Sequence, residues 1–147
     1  MNNKSKPTIF CDIDGTLLRH GGDICEIASC ESSTDDLLPN AQNAIRYWDK
    51  SGYTIILTTG RKESLRAKTE AELTRLGIVY DQLVMGLGGG KRIIINDRKE
   101  GSREDQCQAI NISRNKGLQY FDFEGDLEVI TEDKPKVIEK PWGSEEV

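Results

Sequence analysis

Two carboxylates stand two residues apart in the run Ile9-Phe-Cys-Asp12-Ile-Asp14-Gly15-Thr16, at the end of a short apolar stretch and directly before a glycine where the backbone can turn. In extended chain, residues i and i+2 point the same way, so both acids can face one small volume. Like charges that close are costly unless a proton or a cation relieves them. Mg²⁺ suits such a place, because it takes oxygen ligands, is held by one or two carboxylates and leaves positions for water and a substrate phosphate. With charge so neutralised, Asp12 can attack phosphorus and form an aspartyl-phosphate. Asp14 can then give a proton to the leaving oxygen and later take one from water.

These acids need elements to hold them. Strand-like and helix-like segments alternate from residue 8 to about residue 97, the pattern of parallel βα units. Thr8–Asp12 reads as a buried strand. Ala41, Ala44, Ile45 and Trp48 recur at helical spacing behind Pro39-Asn40, and Gly52 ends that helix. Tyr53–Leu57 reads as a second strand. A second helix is expected over Lys62–Leu76, with Leu65, Thr69, Leu73 and Leu76 on one face and Gly77 as the stop. Strands are expected again at Gln82–Met85 and Arg92–Asn96. Three of these strands end near Asp12, Thr59 and Asp97, and open parallel sheets place ligand sites at the carboxyl ends of their strands. Beyond residue 100 the pattern fades: residues 101–105 read as a charged loop, 108–112 as strand or helix, and 120–130 as a terminal hairpin or strand.

The segment Asp12-x-Asp14-Gly15-Thr16 resembles the first motif of the haloacid dehalogenase superfamily. Ile55-Ile-Leu-Thr58-Thr59-Gly60-Arg61 is similar to the second, which implies that Thr59 holds the transferring phosphoryl group, with Thr16, Gly60 and Arg61 on the substrate. Ile93-Ile-Ile-Asn96-Asp97 looks like the fourth, which implies that Asp97 joins Asp12 and Asp14 on magnesium; the family often shows two acids here, whereas this sequence has Asn96 and Asp97. The third motif is a lysine. Lys91 fits by order in the chain, yet six extended residues would set it roughly 20 Å from Asp97. Either the loop Gly86-Leu-Gly-Gly-Gly90 returns Lys91 to the cleft, or Arg61 or Lys62 supplies the charge. The same glycines lack the Gly-Lys-Ser/Thr ending of a P-loop and read as a connection.

The resemblance implies an α/β, Rossmann-like three-layer fold with a mainly parallel sheet and no large cap domain, since only about twenty residues, Arg19 to Pro39, follow the first motif. It implies a Mg²⁺-dependent phosphomonoester hydrolase. Small-cap members include sugar-phosphate phosphatases of surface-polysaccharide pathways and polynucleotide end phosphatases. The net charge of −5 over 147 residues gives no footprint for an extended phosphate backbone, which favours a small phosphate ester over nucleic acid. An open site must act on something large or be closed by a neighbouring subunit, so a homo-oligomer is one expectation. Two other classes compete with this reading. Phospho-accepting receiver domains carry their acid pair adjacent and accept phosphate on a later strand, unlike Asp12 and Asp14. A non-catalytic binding or scaffold protein keeping this fold is the stronger competitor.

At this length one domain is expected, over residues 1–131, with 132–147 as a tail or linker. The tail's Val137-Ile-Glu-Lys-Pro-Trp-Gly-Ser-Glu-Glu146 is similar to the opening of cupin-type sugar isomerases. No export segment precedes the first apolar run, and no run approaches the ~20 residues of a membrane span, so a cytoplasmic, membrane-free protein is expected. Cys11, Cys25, Cys30 and Cys107 form no Cys-x-x-Cys pair and read as reduced thiols. His20, Cys25 and Cys30 are close enough to share zinc, though their irregular spacing makes a weak ligand pattern.

Overall fold

The computed structural model describes residues 5–21 and 36–130. Strand β1 (Thr8–Asp12) leads through the acidic turn to helix α1 (Ala41–Lys50), strand β2 (Thr54–Thr58), a 3₁₀ turn (Glu63–Leu65) running into helix α2 (Arg66–Arg75), and strand β3 (Gln82–Val84). The three strands form a parallel sheet in the order β1-β2-β3. Asp12 pairs in register with Thr58, and Thr58 with Val84, so the carboxyl ends of all three strands lie in one row. This is the α/β, Rossmann-like open sheet that the alternating pattern implies.

The helices form where apolar spacing calls for them. On α1, Ala41, Ala44, Ile45 and Trp48 are buried, and on α2 Thr69, Leu73 and the following Leu76 are. Gly52 and Gly77 follow the two helices, as expected of helix stops. Ile55 and Leu57 of the central strand are fully buried, each such side chain contributing roughly 1.5–3 kcal/mol. The same core takes in Ile13, Leu17 and Leu18 from the acidic turn. Apolar side chains on both sides of Asp14 and Thr16 therefore anchor the turn that carries the acids.

The chain beyond β3 contributes through side chains more than through regular elements. Residues 121 and 129 make one antiparallel bridge, backed by hydrogen bonds from Asp122 N to Glu128 O and Ile130 N to Tyr120 O. This is the terminal hairpin reading of residues 120–130. Trp48 Nε1 donates to Phe123 O at 3.1 Å and Tyr47 Oη to Glu124 O at 2.9 Å, docking the hairpin on α1. Residues 108–112 are neither strand nor helix.

The expected strand over Arg92–Asn96 is absent. That segment is irregular, and Ile93, Ile94 and Ile95 are 77, 57 and 94% exposed. An apolar β-branched run favours a strand only when neighbours pair and pack with it. Here Arg92 Nη1 instead donates to the carbonyls of Gly88 and Gly90, turning the chain back on its glycine loop, and Arg98 pairs with Asp105 beyond it. Among the described residues no helix is long and apolar enough to cross a membrane.

Candidate active site

Asp12 ends β1, and its side chain is half-buried. Its carboxyl is held above the usual carboxylate range, first by burial and then by the neighbouring charge of Asp14. Three groups oppose this: Thr16 Oγ1 donates to Asp12 Oδ2 at 3.2 Å, the positive charge of Arg92 favours the ionised form, and the backbone N–H of Ile13 adds a weaker bond. Gly15 adopts φ +93° between the acid and this threonine, a conformation that glycine enters readily.

Asp14 is held more firmly. Thr59, fully buried just past the end of β2, donates from Oγ1 to Asp14 Oδ2 at 3.0 Å. Arg61 Nη2 donates to Asp14 Oδ1 at 2.8 Å, while its Nε reaches both oxygens at 3.2 and 3.1 Å. The same guanidinium donates to Glu72 Oε1 at 3.0 Å and to Thr69 Oγ1 at 3.2 Å, both on α2. Arg61 and its two acids are largely buried, at 7, 15 and 11% side-chain exposure. Burial works against the Arg61 charge, but Asp14 and Glu72 together outweigh it and strengthen its hold on the proton. Arg61 N donates to Thr59 Oγ1 at 3.1 Å, which closes the network.

The structure thus brings Asp12, Asp14, Thr16, Thr59, Gly60 and Arg61 to one end of the sheet. Gly60 has a clear structural reason, because a Cβ there would lie 2.6 Å from the carbonyl oxygen of Gly88. Gly86 N donates to Arg61 O at 2.7 Å and Leu87 N to Thr59 O at 3.2 Å, so the glycine loop is laid against the end of β2. Lys91 and Lys62 are exposed. Among the described residues, Arg92, next in sequence to the lysine that motif order selected, is a cation whose charge acts on Asp12. Asp97 is exposed, its carboxylate meeting Asn96 Nδ2 at 3.4 Å, and the strand meant to carry it to the acids is not formed. Glu72 escaped sequence reasoning as a polar member of a helix, and Thr69 was placed on the buried face without its bond to Arg61. The available signal was their spacing of three on the face that also carries Leu73 and Leu76.

Among the described residues no cluster of three or more His, Cys, Asp or Glu comes together to hold a metal. The donor chemistry of Asp12 nevertheless fits a hard cation. Asp12 offers carboxylate oxygen that, among the described residues, accepts from a hydroxyl and a backbone N–H and whose charge is under-compensated, and Mg²⁺ needs only one or two protein carboxylates. His20 is exposed, with its backbone N–H and carbonyl bonded to the Asn115 amide at 2.7 and 2.8 Å. Cys25 and Cys30 lie outside the described residues, as do most of the span from Arg19 to Pro39 and the tail from residue 131.

The family model described as "HAD superfamily, subfamily IIIB (Acid phosphatase)" matches residues 28–141. The match begins downstream of Asp12 and Asp14. No curated protein matches the chain. Among solved structures, a chain of the "Structure of Pnkp1/Rnl/Hen1 complex" is 29% identical with a TM-score of 0.46, over 63% of this chain and 32% of that one. A chain of the "Structure of the Pnkp1/Rnl/Hen1 RNA repair complex" is 27% identical with a TM-score of 0.44, over 67% and 28%. D,D-heptose 1.7-bisphosphate phosphatase from B. bronchiseptica, complexed with magnesium and phosphate, is 22% identical with a TM-score of 0.38, over 56% and 51%. This chain spans about a third of the length of the first of these. None of these matches supports the likeness of residues 137–146 to sugar isomerases.

Proposed function

This chain belongs to the HAD superfamily, subfamily IIIB, a family of acid phosphatases, and from that premise we propose that it hydrolyses phosphomonoesters through an aspartyl-phosphate on Asp12. The observation that carries the reading is the differing treatment of two acids at one strand end: Asp12 is left under-compensated, while Asp14 is fixed by Thr59 and Arg61. A nucleophile must be free to approach phosphorus, and a proton-transfer group must stay in place.

In the first step an Asp12 oxygen forms a bond to phosphorus as the ester P–O bond breaks, and the departing oxygen takes its electron pair and a proton that Asp14 has taken up in place of one of its hydrogen bonds from Arg61. In the second step Asp14 removes a proton from water, whose oxygen attacks the same phosphorus and returns Asp12 as a carboxylate. Thr16 orients Asp12 during both steps, and Arg92 lowers the cost of its ionised form. Thr59 and Arg61 act on Asp14 in place of the expected direct grip on substrate. Mg²⁺, held by Asp12 with Asp14, would supply positive charge to the acids and to the phosphate. Asp97 and Lys91 would join them only by moving from their exposed positions. The substrate class we favour is a sugar phosphate or related small phosphorylated metabolite, given the net charge of −5. A second copy of the chain closing the open site is part of the same proposal.

The test is phosphate release from a panel of sugar phosphates, p-nitrophenyl phosphate and a 3′-phosphorylated oligonucleotide, with and without Mg²⁺. Metal-dependent release by the wild type that disappears in Asp12→Asn is the expected result, and the preferred ester identifies the substrate class. Release that is equal in the two proteins, or absent for every ester, would overturn the mechanism and favour a binding role.

A further inference from the structure

The Arg61 guanidinium is almost fully spent inside the protein. Of its five N–H groups, the one on Nε spans both oxygens of Asp14, the two on Nη2 divide between Asp14 and Glu72, and one on Nη1 goes to Thr69. A single Nη1 hydrogen is left. Arg61 is therefore a strut between α2 and Asp14, with little capacity left for substrate.

A buried ion pair is a poor means of stabilising a fold, because desolvation consumes most of the attraction and a well-packed apolar residue does as well. Glu72 stands on the buried face of α2, beside Leu73 and one helical turn from Thr69 and Leu76, where an apolar residue would be the simpler choice. What Glu72 and Thr69 add is geometry. An arginine side chain has many rotamers, and two acceptors on one helix face confine it to one position. Asp14, gripped bidentately by that guanidinium, is confined with it.

We propose that Glu72, aided by Thr69, is a positioning residue for the phosphatase reaction, fixing Asp14 through Arg61. The inference deepens the reading above and rests on Asp14 being the group that moves the proton. Its function is lost when the strut is loosened, even with every atom of Asp12 and Asp14 present.

The experiment compares wild type, Glu72→Gln, Glu72→Ala and Thr69→Val in kcat and KM for p-nitrophenyl phosphate at saturating Mg²⁺, with thermal melting of each. Glu72→Ala is expected to lower kcat about 10–100-fold, the usual effect of losing an outer-shell partner, with KM within about twofold. Glu72→Gln keeps an oxygen that accepts from Nη2 and is expected to recover roughly a third or more of the wild-type kcat. Thr69→Val, nearly isosteric, is expected to lower kcat by a smaller factor than Glu72→Ala. Folded variants with wild-type kcat, a KM effect without a kcat effect, or a Gln variant as impaired as Ala would each overturn the proposal. If the wild type releases no phosphate, the reaction assignment fails on its own. The strut is then judged in crystals of the wild type and the Glu72 variants, where an Asp14 carboxylate unmoved in Glu72→Ala would refute it.

Discussion

Asp12, the proposed nucleophile, is held in its place at the expense of stability. Its carboxyl is held above the usual range by burial and by Asp14, so at neutral pH the folded protein carries an ionised group that the unfolded chain would ionise more readily. That cost is present above the raised value and fades as pH falls through it and Asp12 takes up a proton. Asp12→Asn removes the charge and keeps the shape. In chelator, where no metal can offset the charge, the variant is expected to melt roughly 2–4 °C above the wild type at neutral pH, the gap narrowing on acidification. A variant that melts lower than the wild type at neutral pH would contradict this account of the site. At this scale the sequence was informative about type and order: the two acids were legible from their spacing, and Thr59 and Arg61 from the resemblance of their segment to the second motif. What Arg61 does was not legible, because its partners lie 47 residues back at Asp14 and 11 ahead at Glu72. Arg92 was missed for a related reason, since its effect on Asp12 depends on a fold-back that its own glycine loop makes.

The elements that hold these residues were legible where apolar period and a stop signal coincided, as in β1, α1, β2, α2 and β3. The fourth strand had the apolar run but no paired neighbour, and Ile93 to Ile95 stand in the open. The glycine loop gained a meaning that composition could not give it. Gly88 approaches Gly60 so closely that any Cβ at residue 60 would overlap the Gly88 carbonyl oxygen at 2.6 Å. Gly60→Ala should push the loop off the end of β2 and cost about 1–3 kcal/mol, the usual range for overpacking. Because Gly86 and Leu87 donate their N–H groups to Arg61 and Thr59, hydrogen exchange at those two amides should quicken in the variant while the amides of β1 keep their protection. Unchanged exchange at Gly86 and Leu87 would mean that the loop is held by something other than this contact.

Over the whole molecule, a three-stranded sheet is a small platform, and the described chain enlarges its core with aromatic side chains from beyond β3. Phe123 is fully buried, its ring 6.4 Å from that of Tyr47, and its carbonyl accepts from the Trp48 indole. Phe121 sits 6.5 Å from Trp48 at 63°. Phe121 and Phe123 alternate with Asp122, a period of two over only three residues, which is why residues 120–130 read as a hairpin or strand while their role in the core stayed hidden. Phe123→Ala is expected to cost about 3–5 kcal/mol, a large part of the 5–15 kcal/mol typical of a folded domain. Val129, across the hairpin and 53% exposed, provides the control, since Val129→Ala should change stability by less than about 0.5 kcal/mol. Urea titrations followed by tryptophan fluorescence decide the matter, because Trp48 reports the contact itself. Equal midpoints for the two variants would show that the hairpin rests on α1 without completing the core. A selective loss in Phe123→Ala, with α1 freed at one end, would also loosen Ile45 and Leu17 beneath the acidic turn, linking the far end of the chain to the placement of Asp12 and Asp14.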